Sequence, residues 1–322
     1  MDIQSYDELL SKLQEAMKFC HAVGLNRAPI TSRFAVYEDR VRRLHELSTR
    51  FQSGQLSVQE QTNLRTELSE NVFTLVEVLE FVNVIPYLRS QPENIVRWKL
   101  RNVLMGPSRP LMEDQNSNVA RNTLFELNLA SKLSRAGLDT SLEASSDICC
   151  IVKDRRVLIE CKRPFSNKSI VKNVRVADKK LHHSLASAPA GSRGVIAVSF
   201  SRIVNPKDFI LQYSDEDSAK HYLEDLIDEQ VLKVPHKSPL GKKIIGLLFH
   251  VIVPSVDLAN SRIVSGEQIN AETAKKEDSI DYATFFALGK GYSTLVLKTL
   301  NVLFTRIGSR SNGILRQCWH WK

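Results

Sequence analysis

The spacing of apolar residues changes partway along the chain, and this change limits the folds that the chain can adopt. In the first third, apolar residues recur three and four positions apart, as they do on one face of an α-helix. Two of these segments begin with the capping-box pattern S-x-x-E, at Ser5 and Ser57, and no glycine lies between Gly54 and Gly106. Further along, short apolar runs alternate with turn residues, as in strands. We therefore predict a helical region followed by a region built on a sheet.

A break separates the two regions. Residues 106–110, G-P-S-R-P, cannot continue a helix. We predict a helical N-terminal region over residues 1–106, which would serve oligomerisation or partner docking. Residues 107–322 would form a second domain.

Composition narrows the class of protein. The formal net charge of +8 makes a polyanionic partner plausible, and a basic surface kept for solubility is the alternative. Five scattered cysteines without a C-x-x-C pattern favour reduced thiols. No apolar run approaches the ~20 residues of a membrane span, and the first residues lack the features of a signal peptide. We expect a cytoplasmic protein without a membrane partner.

The order of elements in the second region predicts an α/β (α+β) fold. A helix over residues 122–136 would end at Gly137. Further strands are predicted at 148–152, 157–161, 195–200 and 244–253, with helices at 174–185, around 218–231, and at 292–307, where a strand is the alternative. Such an order implies a mixed sheet with helices packed against it.

One segment of this region gathers charged side chains at the end of an apolar strand. Glu160 and Lys162 share one face of the predicted strand 157–161, because alternate residues point the same way, and Cys161 points to the other. An antiparallel hairpin through residues 153–156 would bring Asp147 beside them. The sequence therefore predicts two carboxylates and one ammonium group at one edge of the sheet.

Two carboxylates held close together repel each other, so that one takes up a proton unless a cation is present. Mg²⁺ prefers oxygen ligands and keeps several waters, one of which can act as a nucleophile. A nearby lysine can orient that water or stabilise charge on phosphorus. These are the parts of metal-assisted phosphodiester hydrolysis. The alternative is a solvated ion pair of Glu160 and Lys162, with Asp147 as a turn residue.

The pattern of Asp147 followed by Glu160-Cys161-Lys162 resembles the D…(D/E)-x-K signature of the PD-(D/E)XK nuclease superfamily. This superfamily includes restriction endonucleases, Holliday-junction resolvases and repair nucleases. The resemblance covers a core of about residues 120–202 and leaves a C-terminal extension. It implies a restriction-endonuclease-like mixed β-sheet flanked by helices, in the order α-β-β-β-α-β, if residues 138–144 supply the first strand.

The resemblance also implies roles for individual residues. Asp147, Glu160 and the backbone carbonyl of Cys161 would hold Mg²⁺, with Mn²⁺ as an alternative, and Lys162 would position water or stabilise the transition state. Glu126, on the preceding helix, would act through a metal-bound water. The implied activity is that of a metal-dependent endonuclease, with DNA as the expected substrate, in defence against foreign DNA or in DNA repair. The alternative is a catalytically silent module for nucleic-acid binding or assembly.

The sequence departs from the family pattern in two places. Serine rather than proline precedes Asp147, and no glutamine lies between residues 168 and 190, where the family's later helix often carries one. The chain contains a second match to the (D/E)-x-K pattern, Asp178-Lys179-Lys180. It falls in a predicted helix, where residues two apart do not share a face.

Basic residues surround the motif. We expect Arg163, Lys168 and Lys172 to contact nucleic-acid phosphates, although a solvated surface is the alternative for each. Near the C-terminus, Trp319 and Trp321 flank His320 and could stack on unpaired bases or pack against the protein.

Overall fold

The structure is a computed structural model. It describes residues 5–26, 28–55, 57–114, 117–143, 145–207, 209–213, 215–234, 241–257, 262–273, 275, 279–293 and 302–303. The predicted contacts of Trp319, His320 and Trp321 lie outside the described residues.

The N-terminal region is helical, as its periodicity predicts. Its helices are α1 (Tyr6–Ala22), α2 (Ala28–Thr31), α3 (Arg33–Gln52), α4 (Val58–Leu88) and α5 (Glu93–Leu104). Ser5 caps α1 by accepting a 3.1 Å hydrogen bond from the Glu8 amide, and Ser57 and Glu60 form a complete capping box on α4. Both predicted helix starts are therefore confirmed.

The second region alternates strands with helices. Its helices are α6 (Val119–Arg135), α7 (Ile170–Ser187), α8 (Ser201–Val204), α9 (Glu216–Val231) and α10 (Ile280–Ser293). Its strands are β1 (Asp139–Ser141), β2 (Ile148–Val152), β3 (Arg155–Lys162), β4 (Arg193–Ser199), β5 (Leu211–Tyr213), β6 (Ile244–Asp257), β7 (Arg262–Glu272) and β8 (Val302–Leu303).

All these strands join one mixed sheet in the order β1-β2-β3-β4-β6-β7-β8, with β5 paired to β6. The β3–β4–β6 pairs are parallel, while β1–β2–β3 and β6–β7–β8 are antiparallel. The predicted hairpin between β2 and β3 turns through Lys153 and Asp154, both at positive φ. The predicted α/β class, with a mixed sheet flanked by helices, is confirmed.

Helices cover both faces of the sheet. Val157, Ile159 and Cys161 of β3 belong to a core shared with α4, α5 and α6. Leu158, between them, belongs to a second core shared with α7 and α9. Because β3 is buried on both faces, any charged side chain on it must find partners within the protein.

The first core also crosses the predicted boundary between residues 106 and 107. It runs from Tyr6 in α1 to Leu288 in α10 and includes residues of α3, α4 and α5. The turn at Gly106, which has a φ of 88°, ends the helical region without ending the core. The N-terminal helices thus pack against the sheet region, and oligomerisation through them stays a prediction.

Several elements were not predicted from the sequence, among them α8, β5, β7 and α10. Strand β7 contains a glycine and several polar residues, and its whole length is paired with residues Leu247–Asp257 of β6. Helix α10 ends at Ser293, near the start of the helix predicted over residues 292–307. Most of that range lies outside the described residues, and Val302–Leu303 within it form a strand.

One helical segment among the described residues, Asn71–Leu88, is long and apolar enough to cross a bilayer. Within the fold, 72% of it is buried. The segment is not an uninterrupted apolar run, because Glu77 and Glu80 lie within it.

Candidate active site

Asp147 lies just before β2 and reaches across to β3. The register of the hairpin pairs Ile148 with Ile159, so that Asp147 lies beside the next residues of β3. Its Oδ2 atom accepts a 2.7 Å hydrogen bond from the backbone amide of Cys161. This bond fixes the Asp147 carboxylate against the segment that carries Glu160 and Lys162.

Glu160 and Asp147 share a single cation. Glu160 is 1% exposed, and its Oε1 accepts a 2.6 Å hydrogen bond from Lys162 Nζ. Lys180, on α7, places its Nζ 2.8 Å from Glu160 Oε2 and 3.1 Å from Asp147 Oδ1. One ammonium nitrogen therefore contacts both carboxylates, which shows that they converge on one point.

Glu126 projects from α6 and pairs with Lys99 of α5. Both side chains are largely buried. Burial raises the pKa of Glu126 to about 7, and the negative charge of Asp147 adds to the effect, against the opposing charges of Lys99 and Lys162. Glu126 is therefore close enough to the acidic pair to interact with it electrostatically.

The Cys161 side chain is buried in the first core, on the face of β3 opposite Glu160 and Lys162. Burial raises the pKa of its thiol well above the usual range, and the charges of Asp147, Glu126 and Glu160 raise it further. Asp147, Glu160, Cys161 and Lys162 thus lie together through direct contacts, whereas Glu126 contacts Lys99 and is linked to the acidic pair by charge alone. A thiol held protonated in this way is a packing residue, while its backbone amide orients Asp147.

The cluster gathers three carboxylates and three lysines in a largely buried place. Burial raises the pKa of Glu160, and so does the charge of Asp147, while Lys162 and Lys180 oppose both effects. The Glu160 Oε2 atom is inaccessible to solvent and, apart from its ion pair with Lys180, accepts no hydrogen bond. A carboxylate oxygen of this kind, facing a second carboxylate, suits a hard divalent cation.

The donor set fits a cation that keeps part of its hydration shell. Among the described residues, no three side chains of His, Cys, Asp or Glu form a ready metal cluster. Two carboxylates supply only part of a coordination sphere, and Mg²⁺ retains several waters in protein sites. A divalent cation at this position would therefore be coordinated by Asp147, Glu160, a backbone oxygen and water together.

The predicted phosphate contacts do not all lie on the surface. Lys168 and Lys172 are exposed, as a phosphate contact requires. Arg163 is 9% exposed in its side chain, and its Nη1 donates hydrogen bonds of 2.8 and 3.0 Å to Glu113, which is fully buried. The expectation that Arg163 contacts nucleic acid is therefore corrected: it follows Lys162 but turns toward α4 and α6, where Glu113 neutralises it.

A row of exposed basic residues lies along α7 and the turn just before it. It consists of Lys168, Lys172, Arg175 and Lys179. Lys168 lies in the turn before α7, and the spacing of three and four places Lys172, Arg175 and Lys179 along one side of the helix. We refer to these four residues as the α7 basic row.

Sequence reasoning missed two lysines of the site. Lys180 was set aside with the Asp178-Lys179-Lys180 match, and Asp178 and Lys180 do act separately, because Asp178 accepts a hydrogen bond from the Gly241 amide while Lys180 contacts the acidic pair. Lys99 lies among the buried residues Val96, Leu100 and Val103. A lysine on an apolar helix face requires a buried partner, and this signal was available in the sequence.

A cavity of about 80 Å³ lies between α4 and the sheet, on the side of Arg163. Residues that line it include Glu77, Glu80, Phe125, Arg163, Ser199 and His250. Burial raises the pKa of the Glu80 carboxyl to about 8, against the charge of Lys132. The Glu77 carboxylate, unlike that of Glu80, is bound by three side chains: those of Arg33, Arg121 and Tyr37.

Comparisons with family models, with curated proteins and with solved structures find no match to this chain. The chemical interpretation of the site therefore depends on the contacts described above. These contacts define a buried acidic pair with a shared cation position and a lysine on the same strand, and an exposed basic row lies on the helix that carries Lys180.

Proposed function

We propose that this chain is a metal-dependent nuclease that hydrolyses phosphodiester bonds. The observation that carries the proposal is the contact of one nitrogen, Lys180 Nζ, with both Asp147 and Glu160. Two buried carboxylates that converge on one cation position are costly for folding, and a carboxyl with a raised pKa, such as Glu160, is more frequent in functional sites than elsewhere.

The fold supports this proposal through its order of elements. Helix α6, strands β1, β2 and β3, helix α7 and strand β4 follow one another in the chain. This is the order α-β-β-β-α-β that the resemblance to PD-(D/E)XK nucleases implies. We propose on this basis a restriction-endonuclease-like core over about residues 120–202.

Each residue of the cluster has a role in the proposed reaction. Asp147, Glu160 and the Cys161 carbonyl would hold Mg²⁺ or Mn²⁺, which when bound supplies an acidified water and a Lewis acid for phosphorus chemistry. Lys162, 2.6 Å from Glu160, holds an ammonium beside the acidic pair, where it can stabilise negative charge on a phosphate oxygen. Glu126 would accept a hydrogen bond from water at the edge of the site.

The substrate in this proposal is nucleic acid. The α7 basic row offers four exposed cations that can follow a phosphate backbone. DNA as the substrate, and a role in defence against foreign DNA or in DNA repair, come from the resemblance to the family. Cytoplasmic localisation belongs to the same proposal.

Cleavage assays with matched variants test this function. The protein is incubated with plasmid DNA, single-stranded DNA and RNA, in Mg²⁺, Mn²⁺ or EDTA. We expect cleavage that requires the metal and that falls at least about a hundredfold in Asp147→Asn, Glu160→Gln and Lys162→Met. Asp139→Asn, which alters an exposed carboxylate on β1, is the control and should keep full activity. Cleavage that persists in EDTA or in Asp147→Asn would refute the proposal.

A second candidate is a nucleic-acid-binding module without catalysis. It is favoured by the pairing of every acid in the cluster with a lysine, since Glu126 pairs with Lys99 and Glu160 with both Lys162 and Lys180. Such a network of ion pairs could stabilise the fold without taking part in catalysis. Binding of nucleic acid that is unaffected by metal and by Asp147→Asn, without cleavage, would support this candidate.

A further inference from the structure

We propose that Lys180 is a built-in counter-ion that occupies the metal position in the metal-free protein and that a divalent cation must displace. Lys180 is then a positioning residue that lowers the affinity of the site for metal. This inference rests on the proposed function, because it concerns the same acidic pair, and it adds how the loading of that pair is controlled.

The contacts of Lys180 distinguish it from the other lysines of the cluster. Its Nζ is 2.8 Å from Glu160 Oε2 and 3.1 Å from Asp147 Oδ1, so that it bridges the two acids. Lys162 contacts Glu160 through the other oxygen, Oε1. Lys99 contacts Glu126. Lys180 thus lies where a metal ion would meet both acids.

Exposure shows that Lys180 is the lysine that can leave. Its side chain is 41% exposed, compared with 18% for Lys162 and 3% for Lys99. The ammonium can rotate from the acids into solvent without passing through the core. Removal of Lys99 from Glu126 would instead leave a buried charge without a partner.

Displacement would release the Lys180 ammonium beside the α7 basic row. Lys179 precedes it on the helix, and Lys172 lies two turns earlier. A lysine that has left the carboxylates can bind a phosphate oxygen as a point charge. Metal loading and binding of the nucleic-acid backbone would therefore favour each other, because each removes Lys180 from its position in the metal-free protein.

Titration of the protein with Mn²⁺, with free Mn²⁺ measured by electron paramagnetic resonance, tests the inference. Lys180→Met removes the charge and keeps most of the side-chain length, while Lys220→Met, at an exposed lysine of α9, is the matched control. We expect Lys180→Met to bind Mn²⁺ about tenfold more tightly than the wild type, or more, since the metal no longer competes with an ammonium. Lys220→Met should bind as the wild type does.

Two further variants make the outcome decisive. Lys180→Arg keeps the positive charge and should keep the weak, wild-type affinity, whereas a purely structural defect would lower affinity in both Lys180 variants. Unchanged or weaker Mn²⁺ binding in Lys180→Met would overturn the inference.

Asp147→Asn separates this failure from that of the proposed function: if wild-type binding is lost in Asp147→Asn, the metal site stands. Absence of Asp147-dependent binding in both the wild type and Lys180→Met would overturn both proposals.

Discussion

Asp147 Oδ2 accepts a 2.7 Å hydrogen bond from the backbone amide of Cys161, the residue between Glu160 and Lys162. A loop residue is thereby tied to the centre of the motif on β3. The bond leaves Oδ1 of Asp147 to face Lys180. One carboxylate thus has a structural oxygen and an oxygen available for a cation.

This division predicts different results for two substitutions of Asp147. Asn retains an oxygen that can accept from the Cys161 amide, whereas Ala leaves a buried amide without an acceptor. We expect Asp147→Ala to lower the free energy of unfolding by about 1–3 kcal/mol, and Asp147→Asn to lower it less, while both abolish metal binding. Urea denaturation of the two variants measures the difference. Equal losses of stability would show that the hydrogen bond does not fix the loop.

The buried pair of Lys99 and Glu126 predicts a pH-dependent loss of stability. Lys99→Met leaves the Glu126 carboxylate without its cation, and breaking a buried pair in this way costs about 3–5 kcal/mol. Because burial already raises the pKa of Glu126 to about 7, this carboxyl is protonated at low pH, so the loss should be larger at pH 8 than at pH 5.

The double variant Lys99→Met/Glu126→Gln is the control for this pair. It removes the charge together with its partner, and we expect it to regain much of the stability at pH 8. Thermal unfolding at the two pH values provides the measurement. A loss that is the same at both pH values would contradict the electrostatic explanation.

Glu80 predicts a second effect of pH on stability. Its carboxyl has an ordinary pKa of 4.5, which burial raises to about 8 in the folded protein. Between these values the folded state holds a proton that the unfolded state releases, so stability falls as pH rises, by up to about 1.4 kcal/mol per pH unit. Glu80→Gln lacks this proton equilibrium.

The free energy of unfolding of the wild type and Glu80→Gln, measured by urea denaturation from pH 5 to 8.5, checks this sign. We expect Glu80→Gln to gain stability relative to the wild type as pH rises. A constant difference between the two proteins would mean that Glu80 titrates normally.

The α7 basic row predicts a change in the salt dependence of nucleic-acid binding. Lys172→Gln should weaken binding for all sequences and lower the slope of log K against log salt concentration by about 1, because one phosphate contact is lost. Lys220→Gln, at an exposed lysine of α9, is the control and should leave the slope unchanged. Fluorescence anisotropy at several salt concentrations measures both. Equal slopes in the wild type and Lys172→Gln would exclude Lys172 from the interface.

Much of the site could be predicted from the sequence because it depends on local geometry. Strand alternation places Glu160 and Lys162 on one face, and a short hairpin brings Asp147 beside them. The α/β class follows from the order of short apolar runs and amphipathic helices. These inferences need only the period of a strand or helix and the length of a turn.

The remaining features depend on contacts between distant parts of the chain. Lys180 reaches Asp147 across 33 residues, and Lys99 reaches Glu126 across 27. Arg163 was expected on the surface because it follows the motif, but Glu113, from the connection before α6, binds it in the interior. Strand β7 contains polar residues and is defined by its pairing with β6, which no local pattern encodes.

Anomalous diffraction from a crystal soaked in Mn²⁺ tests the central claim most directly. The account predicts a single anomalous peak within coordination distance of both Asp147 Oδ1 and Glu160 Oε2, with the Lys180 ammonium displaced from between them. It would be contradicted by crystals that show no peak at this position at saturating Mn²⁺, with Lys180 still bridging the two carboxylates.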